Sequence, residues 1–261
     1  MRPLGVIGHL SRDVVAGSPP QIGGGPWHAA RALRALRQEA VVFAKCGDGD
    51  RQAFQRRLGA LGLPTVVTAG GETTAFSFSY DDHGVRTMAV DALGEPWRVA
   101  DVPLPLLRRV EWLQVAPLLR GDFDADMLAW LTRGRRILLD GQGLVRVRRT
   151  GPLVLDGAFD SDVLRHVSIL KLAEEEAAVL GDVAALGVPE VVVTAGPKGS
   201  RVITPDGDTH VPARWVAADP TGAGDAFAIA YLGARAERHS PLSAARRATA
   251  LVAALLTGGE R

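Results

Sequence analysis

Much is scarce in this 261-residue chain, and each scarcity removes a class of protein. A single cysteine, Cys46, rules out an internal disulfide and fits a reducing, cytoplasmic setting. Lysine occurs only at positions 45, 171 and 198, so arginine supplies nearly all the positive charge. The formal net charge is +1, which gives no electrostatic footing for nucleic acid or an anionic membrane surface. No apolar run approaches the ~18 residues of a membrane span. Residues 4–7 read as a strand, not as the apolar core of a signal peptide. C-x-x-C and H-E-x-x-H are both missing, and the six histidines are scattered, which argues against a protein-ligated zinc site. A nicotinamide-binding G-x-G-x-x-G after the first strand is also missing, because Gly5-Val6-Ile7-Gly8 does not supply it.

What is present is a 47% hydrophobic composition, enough for a sizeable core, laid out as alternating strand and helix patterns. Short apolar runs at 4–7, 41–44, 64–68, 112–115, 136–139, 167–170 and 190–194 read as strands. Helical patterns cover 26–37, 51–61, 123–133, 174–180, 223–236 and 241–256. Residues 73–80 and 85–90 flank a turn signal at Asp81-Asp82-His83-Gly84, and 200–204 with 209–211 form a second hairpin pattern. Such alternation predicts an α/β fold with a largely parallel sheet covered on both faces. Ligands of such sheets lie beyond the C-terminal ends of the strands. The pattern predicts one domain over 1–261, with 73–90 as a small β lid or edge hairpin.

The densest signal is Asp219-Pro220-Thr221-Gly222-Ala223-Gly224-Asp225-Ala226-Phe227. A glycine turn opens directly onto an apolar helix, whose first N–H groups and positive dipole end favour an anion. A carboxylate beside an anion site is electrostatically awkward unless it takes a proton from a nucleophile. Anion cradle plus adjacent base points to phosphoryl transfer onto a hydroxyl.

This stretch resembles the C-terminal signature of the ribokinase-like (PfkB) carbohydrate kinases, D-T-x-G-A-G-D, with Pro220 where threonine is common. The resemblance implies a three-layer α/β/α sandwich with a small β lid. It also implies Asp225 as catalytic base, with Gly222, Ala223 and Gly224 as an anion hole. Four further segments match the family in order. Gly23-Gly24-Gly25-Pro26-Trp27-His28 resembles G-G-x-x-x-N, with His28 where the family has asparagine. Gly24, Gly25 and His28 are thereby implied in acceptor binding. His28 can equally be a helix-surface residue, and Trp27 a core one. Asp13, after the first strand, either caps a turn or accepts hydroxyl hydrogen bonds, as its counterpart does in the family. Lys45, in Lys45-Cys46-Gly47-Asp48, either reaches the acceptor crevice or holds a neighbouring carboxylate. Lys171-Leu172-Ala173-Glu174-Glu175-Glu176 resembles a segment carrying N-x-x-E, in which the Glu176 counterpart acts on Mg²⁺ through water. Here Ala173 replaces the asparagine, and an acidic helix start is also ordinary dipole complementation. Thr194-Ala195-Gly196-Pro197-Lys198-Gly199 resembles the nucleotide loop, which implies ATP binding by Thr194, Gly196, Lys198, Gly199 and Gly224. Asp219 and Thr221 stand where several relatives bind a monovalent cation such as K⁺.

Segments around Thr73-Thr74-Ala75-Phe76 and Leu139-Asp140-Gly141-Gln142 are similar to the myo-inositol-kinase-like branch. The short span between Asp13 and Gly23 leaves only 73–90 as lid material, so a reduced lid is expected. The expected activity is ATP- and Mg²⁺-dependent phosphorylation of a sugar, polyol or nucleoside by a monomer or homodimer. The alternative, resting on Ala173 and His28, is a nucleotide- or sugar-binding sensor that has lost catalysis.

Overall fold

The structure is a computed structural model that describes residues 3–15, 18–80, 86–217 and 220–258. The chain opens with β1 (Leu4–His9), β2 (Ser11–Val15), β3 (Gln21–Gly23), α1 (Gly25–Ala35), β4 (Ala40–Cys46), α2 (Arg51–Gly59) and β5 (Thr65–Ala69). Next come β6 (Thr74–Tyr80), β7 (Arg86–Ala92), α3 (Leu104–Leu107), β8 (Trp112–Ala116), α4 (Ala125–Leu131), β9 (Arg136–Asp140), α5 (Gln142–Val145) and β10 (Gly151–Pro152). It closes with β11 (Ile169–Ala173), α6 (Glu174–Leu180), β12 (Val191–Thr194), β13 (Ser200–Thr204), β14 (Gly207–Val211), α7 (Ala223–Ala236) and α8 (Pro241–Gly258).

Among the described residues, nine strands form the central sheet in the order β14-β13-β12-β11-β9-β8-β1-β4-β5. All neighbours are parallel except β12–β13 and β13–β14. Every residue of β1 and β4 is buried, as strands sandwiched between two helical layers require. One layer packs α1, α7 and α8 against Leu4, Val6, Leu138 and Ile169. The other sets α4 and the 3-10 turn at Ser161–His166 against Ile7, Val115 and Leu139. In α7 both faces are largely buried, with Phe227, Ile229, Tyr231 and Leu232 in the core. Each such side chain contributes ~1.5–3 kcal/mol by leaving water. The body of this helix is therefore anchored in the core, with its first turn at the crevice.

The second sheet departs from expectation. It has five strands, in the order β10-β7-β6-β2-β3, where the sequence pattern predicts only the 73–90 hairpin. The three extra strands are β2 and β3, from 11–23, and the short β10 at Gly151–Pro152, none of which the sequence pattern marks as a strand. Ser11-Arg12-Asp13 is polar and half-exposed, and it becomes a strand because β2 finds a parallel partner in β6 from Ser11↔Thr74 to Val15↔Phe78. The tip of the expected hairpin, at 81–85, lies outside the described residues. Among the described residues no helix is long and apolar enough to cross a membrane.

Candidate active site

A crevice of about 1110 Å³ opens between the C-terminal ends of the central strands, the starts of α1 and α7, and the inner face of the second sheet. Asp140 ends β9, and Lys171 lies in the middle of β11. Phe76, Phe78 and Met88 contribute an apolar wall.

Two glycine-to-helix junctions converge there. At the first, Gly24 has φ +91°, and a Cβ on it would lie 2.2 Å from the carbonyl oxygen of His9. At the second, Gly222 has φ +78°, and a Cβ would lie 2.2 Å from Nδ1 of His28. Only glycine accepts both the torsion and the crowding. The junctions also touch each other. The Cβ position of Gly25 is 3.0 Å from Oδ1 of Asp225, and the His28 ring of α1 covers the turn that opens α7.

Charge is concentrated behind the second junction. Lys171 is buried and its ammonium donates to Oδ2 of Asp140 at 3.0 Å. Burial opposes that charge, but Asp140, Glu176 and Asp225 outweigh it and raise the lysine pKa further. Lys171 therefore stays an ammonium, with Nζ 3.2 Å from the Cβ position of Gly224. Asp225 keeps some exposure as a residue, yet its Oδ1 is enclosed and has no hydrogen-bond partner among the described residues. Burial, then Asp140, push the Asp225 carboxyl up to about 7, against the opposing pull of Lys171 and Arg146. A carboxyl titrating there can hold or release a proton near neutrality, as a general base requires. Glu176 is buried too, and burial raises its pKa.

Residues 159–259, which contain this junction, match the family described as pfkB family carbohydrate kinase. An inositol 3-kinase of Zea mays is 33% identical over 199 residues, covering 73% of this chain. The chain belongs to the pfkB carbohydrate-kinase family. It spans about half (52%) of the length of that maize relative. A pyrophosphate-dependent kinase of the ribokinase family, solved with a pyrophosphate analog and myo-inositol, superposes with a TM-score of 0.82 at 24% identity, covering 97% of this chain and 95% of that one. A ribokinase of Thermotoga maritima superposes at 0.71 with 17% identity, covering 98% and 93%. A Burkholderia thailandensis nucleoside kinase in complex with inosine gives 0.72 at 18%, covering 97% and 90%. These likenesses establish the ribokinase fold.

Within this pfkB chain, Asp13, Gly24, Gly25, His28, Glu176, Thr221, Gly222, Ala223, Gly224 and Asp225 all border the one crevice. Asp13 accepts a hydrogen bond from Ser11 Oγ at 2.7 Å, which orients its carboxylate. Two expectations need correction. Lys45 is not among the crevice residues. It is buried and donates to Pro96 O at 2.9 Å and Asp101 Oδ2 at 2.7 Å, so it holds the neighbouring carboxylate instead. The Ala223 N–H closes the turn by donating to Pro220 O at 2.9 Å, so it is not available to an anion. The first-turn amides of Gly224 and Asp225 have no intrahelical acceptor. Glu176 accepts from the Ala173 N–H at 2.8 Å, which caps α6 and commits one of its oxygens.

The nucleotide-loop residues flank the crevice without lining it. Thr194 Oγ1 donates to Leu172 O at 3.1 Å, Gly196 and Lys198 sit in a short 3-10 turn before Gly199, and Lys198 pairs with Glu174 at 3.0 Å. Asp219 lies outside the described residues. Trp27 packs on the apolar cluster beneath α2, and buried Cys46 has its thiol pushed up to about 12 by burial, so it is inert. Sequence reasoning overlooked roles for Asp140, Lys171 and Arg146. Asp140 and Lys171 follow predicted strand runs directly, so the strand-end rule contained the signal that flags them.

Proposed function

We propose that this chain transfers a phosphoryl group from ATP to a hydroxyl of a sugar, polyol or nucleoside. The reading rests on one observation: an enclosed, unpartnered Asp225 Oδ1, titrating at about 7, at a glycine-built helix start. Asp13 and the Gly24–Gly25 turn hold the acceptor. Asp225 takes the proton of the attacking hydroxyl as the new O–P bond forms in line with the departing phosphoanhydride oxygen. The Gly224 and Asp225 amides, the dipole of α7 and the Lys171 ammonium stabilise the equatorial oxygens. Positioning and fixed charge supply most of the acceleration.

Among the described residues no three His, Cys, Asp or Glu side chains converge to hold a metal directly. Mg²⁺ would thus be held through the donor phosphates, with Glu176 acting through water, and would supply charge neutralisation there. Thr221 at the crevice edge, with Asp219, is the proposed K⁺ position. Support for a nucleotide donor comes from a groove of about 560 Å³ between Trp215 and Ala253, Ala254 and Thr257 of α8. Trp215 is 68% exposed there and offers a face for a base to stack on. The resemblance to inositol kinases makes inositols the first acceptors to try.

A coupled ADP-release assay with ribose, fructose, inositols, adenosine and cytidine tests the reading. ATP-dependent turnover of one acceptor is expected, and Trp215→Ala should raise the KM for ATP about tenfold. Turnover with pyrophosphate but not ATP would replace the donor. No phosphoester with either donor would leave the sensor alternative standing.

A further inference from the structure

The parallel strands carry a second cleft, of about 420 Å³, at their opposite ends. Trp112 begins β8, Arg136 begins β9 and Ile169 begins β11, and all three line it. Arg135, Arg165, His166 and Arg235 complete a basic wall. Glu190 is the one acidic residue on it, and that carboxylate is saturated. It accepts from Tyr231 OH at 2.5 Å and from Arg235 Nε and Nη2 at 3.0 and 2.9 Å. Arg165 has its own partner in Asp162 at 3.1 Å.

Arg135 and Arg136 have no carboxylate partner among the described residues. Arg135 is half-buried and donates only to backbone carbonyls, Leu131 O and Arg133 O at 2.8 Å and Leu107 O at 3.3 Å. Burial lowers its pKa, a cost that a bound counter-ion would relieve. Arg136 lies over the Trp112 ring, 5.1 Å from its centroid. Stacking uses the flat face of a guanidinium and leaves its in-plane N–H fork for another partner. The whole chain has a formal charge of +1, so two uncompensated guanidiniums on one concave surface are a local excess.

We propose that this rear cleft binds a phosphate-bearing small molecule, at a site separate from the crevice that holds Asp225. Guanidinium forks pair bidentately with phosphate oxygens. The arginines reach the cleft from three elements: the start of β9, the Ser161–His166 turn and the end of α7. With Arg235 committed to Glu190, Arg135 and Arg136 at the start of β9 and Arg165 from the Ser161–His166 turn still supply donors from two elements, which suits a tetrahedral oxyanion better than a planar carboxylate. The volume suits a small phosphoester.

The test pairs a soak with a titration. Crystals of the native chain soaked in sodium tungstate, a tetrahedral dianion, should show an anomalous peak within hydrogen-bond reach of Arg135 and Arg136. Calorimetric titration of inorganic phosphate should weaken at least tenfold for the rear site in Arg136→Ala/Arg165→Ala, whose fold is checked by its melting curve. Both altered residues are exposed and far in sequence from the Gly222 turn, so binding that survives reports the front crevice. Sodium acetate should compete poorly. A vacant rear cleft in the soaked crystals, identical phosphate titrations for native and variant chains, or acetate binding as tightly as phosphate would each overturn the assignment.

Discussion

At the start of α1, Gly24 lies under the carbonyl oxygen of His9, whereas at the start of α7, Gly222 lies under the imidazole of His28. Both glycines hold positive φ, and both open a helix onto the same crevice. Their neighbours differ in what they can do. The His9 carbonyl belongs to a central strand fixed by ladders on both sides, so it has nowhere to go. The atoms against Gly222 belong to the His28 side chain, not to strand backbone. The α7 junction also carries an acid and has a buried ammonium behind it, and the α1 junction has neither. The first junction is thus a rigid seat, and the second a charged and more adjustable one.

Changes at the charged junction should have the largest effect. Asp225→Asn should lower kcat by ~10²–10⁴ with little change in KM for the donor, as loss of a general base does. Steady-state kinetics check this, and unimpaired turnover would remove Asp225 from its role. Lys171→Met should destabilise the fold by ~3–5 kcal/mol in urea melts, because it strands Asp140 and Glu176 without their buried cation. If Lys171→Met melts like the native chain, the charges are not coupled as the distances imply.

The rigid seat comes next. Gly24→Ala should cost ~3 kcal/mol or more, since the strained torsion and the backbone clash act together. Gly222→Ala should cost less, ~1–2 kcal/mol, because the torsion is αL and the clash is with a side chain. His28→Ala in the Gly222→Ala background should recover part of that loss, and the same change should do nothing for Gly24→Ala. Equal costs at the two glycines, with no rescue, would erase the difference between seat and adjustable junction.

Protonation gives the subtlest test. The Asp225 carboxyl is raised to about 7 in the folded chain from an ordinary 3.8. The base form is needed for proton removal, so kcat/KM should rise with pH through about 7 and then level. Stability moves the other way. Between the unfolded and folded pKa values the native state binds the extra proton, so this group's favourable contribution is complete below about 4 and lost as pH climbs through about 7. Asp225→Asn should therefore melt higher than the native chain at pH 8, with the difference closing near pH 4. A variant that melts below the native chain at pH 8 would show that the carboxylate is better compensated than its enclosed oxygen suggests.

Several of these features are legible in the residue order. The buried runs of β1 and β4 are too apolar to be anything but interior strands. The glycine turn before 223–236 marks where α7 begins, because glycine needs and helix propensity change together at that point. The strand-end rule puts every glycine motif on one side of the sheet. The second sheet is hidden, since β2 and β3 are short, β2 is held by pairing with the sequence-distant β6, and β3 is held only by pairing with β2. Nothing local distinguishes them from turns. Lys45 misleads for a related reason. Its position after a strand suits a ligand, and only the path of residues 96–101 brings a carbonyl and the Asp101 carboxylate to its ammonium.

The order of apolar runs, glycine turns and polar strand ends determined the α/β layering and marked Asp225, because these depend on short-range backbone preference and periodicity. Tertiary structure alone decided that Lys171 pairs with Asp140, that His28 covers Gly222, that Ala223 spends its N–H on the turn, and that four arginines meet at the rear of the sheet. Charge interactions and close contacts act over a few ångströms of space regardless of chain separation. A linear string carries no record of which distant residues will share that distance.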